Sequence, residues 1–266
     1  MDTTRIGIAG DWHGNTAWAV ACLQDFAQEN ITAILQLGDF GIWHDEAGQE
    51  YLATLNRILA ENGQHLLVTL GNHENYVMVA TLVTLTEGEF AGWQVNPEFP
   101  HVLYATRGQR WEWEGVSFVS LGGAHSIDRY TRTEGINWWA GEQISYADVM
   151  RTAAEGHADI FISHDCPAGV DLFGTHRDNE TGPKWTEQAL DYAAGSRNDL
   201  RAAVDAVKPD ILFHGHYHHY LDTVTELVDA YDGTNYNLRT VGLDKDDCSN
   251  NLGVLELPSK VFTILR

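Results

Sequence analysis

Apolar residues in the first third of the chain form short runs separated by segments with helical periodicity. Contiguous or alternating apolar residues predict β-strands at 5–10, 31–37 and 65–70. Between these runs, apolar positions recur at helical spacing over 15–26 and 46–61, which predicts two amphipathic helices. Regular alternation of strand and helix is typical of an α/β fold with a parallel sheet.

The pattern changes after about residue 88, where Gly, Pro and Trp become frequent. Residues 111–121 alternate like a β-hairpin that turns at Glu114-Gly115. Further helices are predicted at 142–155 and 186–207, and further buried strands at 158–163 and 210–214. Residues 220–266 predict three or four antiparallel strands.

The segment 169–185 stands apart because it is polar, contains several glycines and has no periodicity. It is therefore predicted to be a loop or lid rather than part of the core. The sequence has no internal repeat, low-complexity tract or evident linker, so residues 1–266 are predicted to form one domain.

Side chains that bind metals follow the ends of five apolar runs. The candidate ligands are Asp11, His13, Asp39, Asn72, His164, His216 and His218. Because α/β proteins bind other molecules at the carboxyl ends of their strands, we expect these side chains to converge there, with Asp39 at the centre of the group. An isolated Asp-x-His or His-x-His is more often structural, but the five occurrences together favour a metal centre.

The spacing and flanking residues of these ligands suggest how they are presented. Asp11 and His13 are two residues apart, as are His216 and His218, so an extended backbone would point each pair to one side. Glycines at 10, 38, 71 and 215 allow close approach of the backbone to the site. Oxygen and nitrogen ligands without thiolate favour Mn, Fe, Co, Ni or Zn over Ca, and Mn is the expected metal.

The order of these motifs resembles the calcineurin-like metallophosphoesterase family over nearly the whole chain. The motifs are Gly10-Asp11-Trp12-His13, Gly38-Asp39, Gly71-Asn72-His73-Glu74, Ser163-His164 and Gly215-His216-Tyr217-His218. Residues 122–129, with Trp138-Trp139 and Glu142-Gln143, resemble the small metallophosphoesterases of bacteriophages and actinobacteria. The family resemblance implies a four-layer αββα sandwich, with two mixed β-sheets flanked by helices.

The same resemblance implies two divalent cations. One would be held by Asp11, His13 and His218, and the other by Asn72, His164 and His216. Asp39 would bridge them, because a shared carboxylate and a bridging hydroxide offset the repulsion between the ions. That hydroxide would attack phosphorus.

The residues that follow Asn72 complete the implied catalytic machinery. His73 would donate a proton to the leaving oxygen, and Glu74 would orient the His73 ring. The alternative for Glu74 is a first-turn residue at the N-terminus of a helix.

Residues after the glycine-rich turn are candidate substrate contacts. Arg129 and Arg132 could grip a phosphate bidentately, with surface ion pairing as the alternative. His125 could line the pocket or be a plain turn residue. Trp138 and Trp139 could stack a nucleobase or pack a loop onto the core.

The resulting hypothesis is a dinuclear hydrolase of small phosphodiesters, most readily nucleotide-type diesters such as cyclic nucleotides. The first alternative is a phosphomonoesterase of the serine/threonine protein phosphatase or dinucleoside polyphosphate hydrolase type. Those enzymes carry arginines where this chain has Ile42-Trp43 and Leu70, and Ile42 also replaces the second Asp of the Gly-Asp-x-x-Asp motif. Asp45 is left as its candidate replacement. The second alternative is an inactive, metal-stabilised binding module, against which the intact His73 argues.

Composition narrows the partners and the compartment. A net charge of -22 over 266 residues disfavours binding to long duplex nucleic acid, whereas bound cations could still admit a small phosphoester. The three cysteines have no paired spacing, and the N-terminus lacks the features of a signal peptide. The chain also has no apolar run of about 18 residues. These features predict a cytoplasmic protein without a membrane anchor. They do not determine its oligomeric state.

Overall fold

The computed structural model describes residues 1–172 and 185–266. Most of the predicted loop or lid at 169–185 therefore lies outside the described residues. The elements of the first half are β1 (Arg5–Ala9), α1 (Thr16–Gln28), β2 (Ala33–Gln36), α2 (Glu46–Asn62), β3 (His65–Val68), α3 (Tyr76–Val79), β4 (Val83–Thr84), β5 (Gln94–Val95), β6 (Val102–Tyr104), β7 (Gln109–Trp113) and β8 (Val116–Leu121).

The second half is built from a similar alternation and ends in paired strands. Its elements are α4 (Tyr146–Ala153), β9 (Ile160–Ser163), α5 (Glu187–Val207), β10 (Ile211–His214), β11 (Leu221–Val228), β12 (Asn235–Gly242), β13 (Leu252–Glu256) and β14 (Val261–Ile264). Short 3-10 turns lie at Arg129–Thr131 and Ala140–Glu142. The predicted helix at 142–155 is thus shorter than expected. In the described ranges, no helix is long and apolar enough to cross a membrane.

The strands form two mixed sheets. The first has eight strands in the order β14-β13-β1-β2-β3-β6-β5-β4, and the second has six in the order β11-β12-β10-β9-β8-β7. In the first sheet β1, β2, β3 and β6 are parallel, and in the second β8, β9, β10 and β12 are parallel. The parallel sheet predicted from the strand–helix alternation is therefore confirmed.

The C-terminal strands differ from the expected arrangement. Four strands are present, but they form two antiparallel pairs that belong to different sheets. β12 runs parallel to β10, and β13 runs antiparallel to β1. The tail therefore extends both sheets. The alternation of apolar and polar residues in its sequence does not show which strand joins which sheet.

The two sheets face one another across a buried apolar layer. Ile8 and Leu35 of the first sheet belong to the same cluster as Phe118, Ile162 and Phe213 of the second. Each of these side chains is at most 1% exposed, so the layer excludes water. Burial of apolar surface at this interface is the main force that holds the sheets together.

Helices cover the outer face of each sheet. Leu23 of α1 and Leu55 of α2 pack with residues of the first sheet, and Leu200 of α5 packs with residues of the second. The order is helix, sheet, sheet, helix, which confirms the predicted four-layer αββα sandwich. Strand ends from both sheets can thereby approach one another at one edge.

Asp45, the candidate replacement for the second Asp of the Gly-Asp-x-x-Asp motif, lies at the N-terminus of α2. The Asp45 carboxylate accepts a hydrogen bond from the Gly48 N–H at 2.9 Å, and it caps α2. This is the usual role of Asp at a helix N-cap. Asp45 therefore does not replace the missing second Asp of the motif.

Replacing Asp45 tests this capping role. Asp45→Ala should lower the free energy of unfolding by about 1 kcal/mol, because the Gly48 N–H loses its acceptor. Asp45→Ser keeps an oxygen acceptor and should change the stability by less than about 0.5 kcal/mol. Urea denaturation measures both, and equal losses would show that the hydrogen bond is not responsible.

Candidate metal centre

Side chains from both sheets converge at the carboxyl ends of the parallel strands. They follow β1, β2, β3, β9 and β10, and they are the predicted ligands Asp11, His13, Asp39, Asn72, His164, His216 and His218. Two groups of three can each hold a metal ion: one consists of Asp11, His13 and His218, and the other of Asp39, His164 and His216. Within each group the ligand atoms lie within 4.8 Å of one another.

Glycines let the loops from the two sheets come together. A Cβ on Gly215 would overlap a carboxylate oxygen of Asp11, and a Cβ on Gly38 would overlap the His164 ring. The predicted close approach at these glycines is confirmed. It brings a loop of one sheet against a ligand carried by the other.

The backbone that presents the ligands is left-handed rather than extended. His13, Asp39, His216 and His218 have φ values of 45°, 50°, 67° and 50°. The expectation that extended segments align the Asp11/His13 and His216/His218 pairs is therefore wrong. A left-handed backbone costs about 1–2 kcal/mol per residue, and such conformations concentrate at functional sites.

Asp39 is the buried carboxylate between the two groups. Its Oδ1 accepts a hydrogen bond from the His73 N–H at 2.9 Å and lies 3.3 Å from His164 Nε2. Its Oδ2 is buried and has no hydrogen-bond partner among the described residues, and it lies 3.6 Å from His13 Nε2. A buried carboxylate oxygen without a donor is unfavourable unless a cation binds it. This geometry fits a carboxylate shared by two metals.

The His164 ring provides a second indication of a cation. Its Nδ1 donates to the Leu37 carbonyl at 2.7 Å, so the neutral ring presents a lone pair on Nε2. Nε2 faces two oxygens, Asn72 Oδ1 at 3.0 Å and Asp39 Oδ1 at 3.3 Å. These atoms repel unless a positive charge lies among them, either a proton on the ring or a metal ion.

The pKa shifts reflect the excess negative charge of the cluster. Burial alone would lower the pKa of His164, but Asp39 and Asp11 raise it to about 10. For His13, burial is likewise outweighed by Asp39 and Asp11, and the pKa rises to about 9. Burial lowers the pKa of His216 to about 4. Without metals the carboxylates therefore hold protons at His164 and His13, and metal ions would displace them.

A buried serine and glutamate orient Asn72. The Asn72 Nδ2 donates to Ser126 Oγ at 3.0 Å, and Ser126 Oγ donates to Glu142 Oε2 at 2.5 Å. Glu142 is fully buried and also accepts from the Ser126 N–H. Because the amide nitrogen is fixed on Ser126, the Asn72 oxygen faces the centre. Sequence reasoning did not assign Ser126 or Glu142 a function, although both lie in motifs that carry the resemblance.

Glu74 does not orient the His73 ring. Its carboxylate accepts from the Phe40 N–H at 2.8 Å and from the Gly71 N–H at 3.1 Å. The side chain is fully buried, and burial followed by the charge of Asp39 raises its pKa to about 8. The expected catalytic role of Glu74 is therefore corrected: it joins the turns that follow β2 and β3.

Arg132 takes the place expected for Glu74. Its Nη1 donates to His73 Nδ1 at 2.9 Å, and Asp128 binds its Nε and Nη2 at 2.7 Å each. Burial and then the charge of Arg132 lower the pKa of His73, although Asp39 opposes them. The expected phosphate grip of Arg132 is therefore replaced, in this structure, by a contact with His73.

The other two candidate substrate contacts lie elsewhere. His125 stacks on the Tyr192 ring of α5 with a centroid separation of 4.4 Å, and its Nδ1 donates to the Tyr192 carbonyl. The Arg129 guanidinium lies 4.1 Å from the Trp138 ring centre in a cation–π contact. These contacts pack the 125–138 segment against α5 and itself, and the substrate roles of His125 and Arg129 stay predictions.

A pocket opens beside the candidate metal ligands. It has a volume of about 270 Å³ and is lined by His13, Trp43, His73, Arg132, Ile136, Asn137 and Trp139. Trp139 contributes to this wall, whereas Trp138 packs under Arg129. The pocket therefore combines aromatic and apolar surface with two imidazoles and a guanidinium.

Comparisons with known proteins place this geometry in context. Residues 4–220 match the family model of the calcineurin-like phosphoesterases. The fold is similar to TT1561 of Thermus thermophilus (12% identity, 98% of each chain covered, TM-score 0.52). It is also similar to a dimetal phosphatase from Danio rerio (12% identity, 96% of this chain and 93% of that chain, TM-score 0.52). A search among curated proteins found no match.

Replacing Ser126 tests its hold on Asn72. Ser126→Ala should weaken Mn²⁺ binding at the Asn72 side of the centre by about 10–100-fold, the usual effect of losing a residue that orients a ligand. Isothermal titration with Mn²⁺ measures this change. Ser120→Ala is the matched control, because it removes a buried serine that bonds Thr69 instead. Similar affinities in the two variants would contradict the orienting role.

Proposed function

Because the chain belongs to the calcineurin-like phosphoesterase family, a family of metal-dependent phosphoester hydrolases, we propose that it hydrolyses small nucleotide-type phosphodiesters such as cyclic nucleotides. The observation that carries the proposal is the pair of ligand groups joined at Asp39, whose buried Oδ2 lacks a donor among the described residues. The nitrogen and oxygen donors suit Mn²⁺, with Fe, Zn, Co or Ni as alternatives.

The residues would divide the work of phosphoester hydrolysis. Bound cations would supply a water of lowered pKa as the nucleophile and neutralise charge on the phosphoryl oxygens. Asp11, His13 and His218 would hold one cation, and Asn72, His164 and His216 the other, with Asp39 shared. Each group draws ligands from both sheets, so the relative position of the sheets would shape both ion sites.

His73 is positioned to stabilise the leaving oxygen. Arg132 has no acceptor; its Nη1 lies 2.9 Å from His73 Nδ1 and its Nη2 lies 3.4 Å from Nε2, and the shorter contact at Nδ1 favours the tautomer with the ring proton on Nε2. His73 Nε2 lies 3.9 Å from Asp39 Oδ2, so this nitrogen is on the side of the ring that faces the centre. There it would donate a hydrogen bond to the oxygen that gains charge as the P–O ester bond breaks. This role is narrower than proton donation, because a second ring proton would face the donor-only guanidinium.

The pocket beside the centre supports a nucleotide-type substrate. Trp43 and Trp139 line it, and aromatic side chains stack on bases of any sequence. Ile136 is 71% exposed at the same pocket and adds apolar surface to its wall. Arg132 is bound to Asp128 rather than free to hold a terminal phosphate, so a phosphodiester suits the pocket better than a phosphomonoester.

Chromogenic esters and cyclic nucleotides test the proposal together. Mn²⁺-loaded protein should hydrolyse bis(p-nitrophenyl) phosphate faster than p-nitrophenyl phosphate, and chelated protein should be inert on both. A panel of 2′,3′- and 3′,5′-cyclic nucleotides against nucleoside monophosphates then identifies the substrate class. Asp39→Ala should lower both metal content and turnover. Loaded protein that is inert on every ester would sink the enzyme hypothesis, and a monoester preference would reverse the choice of substrate.

A double-mutant cycle tests the role of Arg132. If Arg132 acts through His73, Arg132→Ala should lower kcat by about 10–100-fold, as for other residues that orient functional groups. The same change should have little effect in the His73→Ala background, because residues of one network are not additive. A rise in KM that persists without His73 would instead support the direct phosphate grip expected from the sequence.

A further inference from the structure

The loop between β12 and β13 lies against the segment that follows β1. The Gly10 N–H donates to the Asn251 carbonyl at 2.9 Å, and the fully buried Asn251 side chain donates to the carbonyls of Asp11 and Asp244. This loop lies beyond residue 220, where the match to the family model ends. It is nevertheless tied to the backbone that carries Asp11 and His13.

Within this loop, Asp246 contacts His13 directly. Its Oδ1 lies 2.9 Å from His13 Nδ1, and its Oδ2 accepts from Asn15 Nδ2 at 2.8 Å. An ionised carboxylate only accepts hydrogen bonds, so His13 Nδ1 carries a proton, and Nε2 is the nitrogen that would bind a metal once the metal displaces the second ring proton. Asp246 is 14% exposed and Asn15 fixes its second oxygen, so the carboxylate is itself held in place.

The contact at Asp246 parallels the one at His164. His164 Nδ1 is held by the main-chain carbonyl of Leu37, and its Nε2 faces the centre. His13 has a carboxylate at the equivalent nitrogen, which makes the opposite nitrogen a stronger donor to a metal. His13 also has a left-handed backbone and a side chain that is 25% exposed, so its ring depends more on this contact than a buried ring would.

We propose that Asp246 is a positioning residue that holds His13 for metal binding and sets the affinity of the Asp11, His13 and His218 group. The inference rests on the proposed function insofar as that group binds a divalent cation. It makes the 244–251 loop, outside the family match, a functional part of the centre. It also predicts different effects at the two ion sites, because Asp246 contacts a ligand of only one of them, His13.

Mn²⁺ titration of the full chain provides the test, with Asp246→Asn and Asp246→Ala as variants. Wild-type protein should bind two Mn²⁺, and both variants should lose about 10–100-fold in affinity at one site while the other stays unchanged. The matched control is Asp247→Asn, since Asp247 accepts from Asn15 without contacting His13 and its loss changes the charge equally. This control should bind both ions as wild type does. Electron paramagnetic resonance should show the coupled two-ion signal giving way to a single-ion signal in the Asp246 variants alone.

Several results would overturn the inference. Affinities within about twofold of wild type in both Asp246 variants, or equal weakening of both sites, would assign Asp246 a structural role instead. Loss of folding in both variants, seen by circular dichroism, would do the same. Wild-type protein that binds fewer than two Mn²⁺ would overturn the proposed function as well. A two-ion protein that hydrolyses no ester contradicts the function while leaving this inference standing.

Discussion

The burial of one carboxylate between two β-sheets is the constraint on which the centre depends. Asp39 follows β2 of the first sheet. Its Oδ1 accepts a hydrogen bond from the His73 main chain, and it also lies close to the ring of His164, which follows β9 of the second sheet. Its charge is buried against imidazoles from both sheets, and Oδ2 has no donor in the described ranges. A buried charge must be paired, so the carboxylate requires a positive partner and the two sheets together supply the place for it.

The rest of the architecture can be understood as support for that convergence. The apolar layer between the sheets fixes their separation, and loops after the strands close the remaining gap. The His216 N–H donates to the Asp11 carboxylate, so a backbone group of one sheet's loop binds a ligand of the other. Left-handed backbone at His13 and His218 costs free energy, which the surrounding packing and bonds offset. Metal binding would in addition neutralise the negative charge of the cluster.

The sequence supports prediction of the elements and ligands better than prediction of their partners. Strand and helix periodicity revealed the parallel strands, and residues after strand ends gave the seven side chains that converge. Asp246 and Ser126 were not identified, because each acts through one hydrogen bond to a residue far away in the chain. The spacing of apolar residues along the chain does not reveal a hydrogen bond between two residues that are distant in sequence. The contact of Arg132 with His73 was missed for the same reason, and the orienting role was assigned to Glu74 as part of the catalytic machinery that the resemblance implied.

The departure at Ile42 acquires a physical meaning from these contacts. Ile42 is buried in the core with Phe40 and Tyr51, and Asp45 caps a helix, so neither residue offers a carboxylate to His73. Nδ1 of the His73 ring instead contacts Arg132, whose guanidinium is bound by Asp128. A carboxylate partner would stabilise a doubly protonated imidazole, whereas a guanidinium opposes it and leaves a neutral N–H donor. In the proposed mechanism, this one exchange of sign makes His73 a neutral hydrogen-bond donor to the leaving oxygen rather than a proton donor.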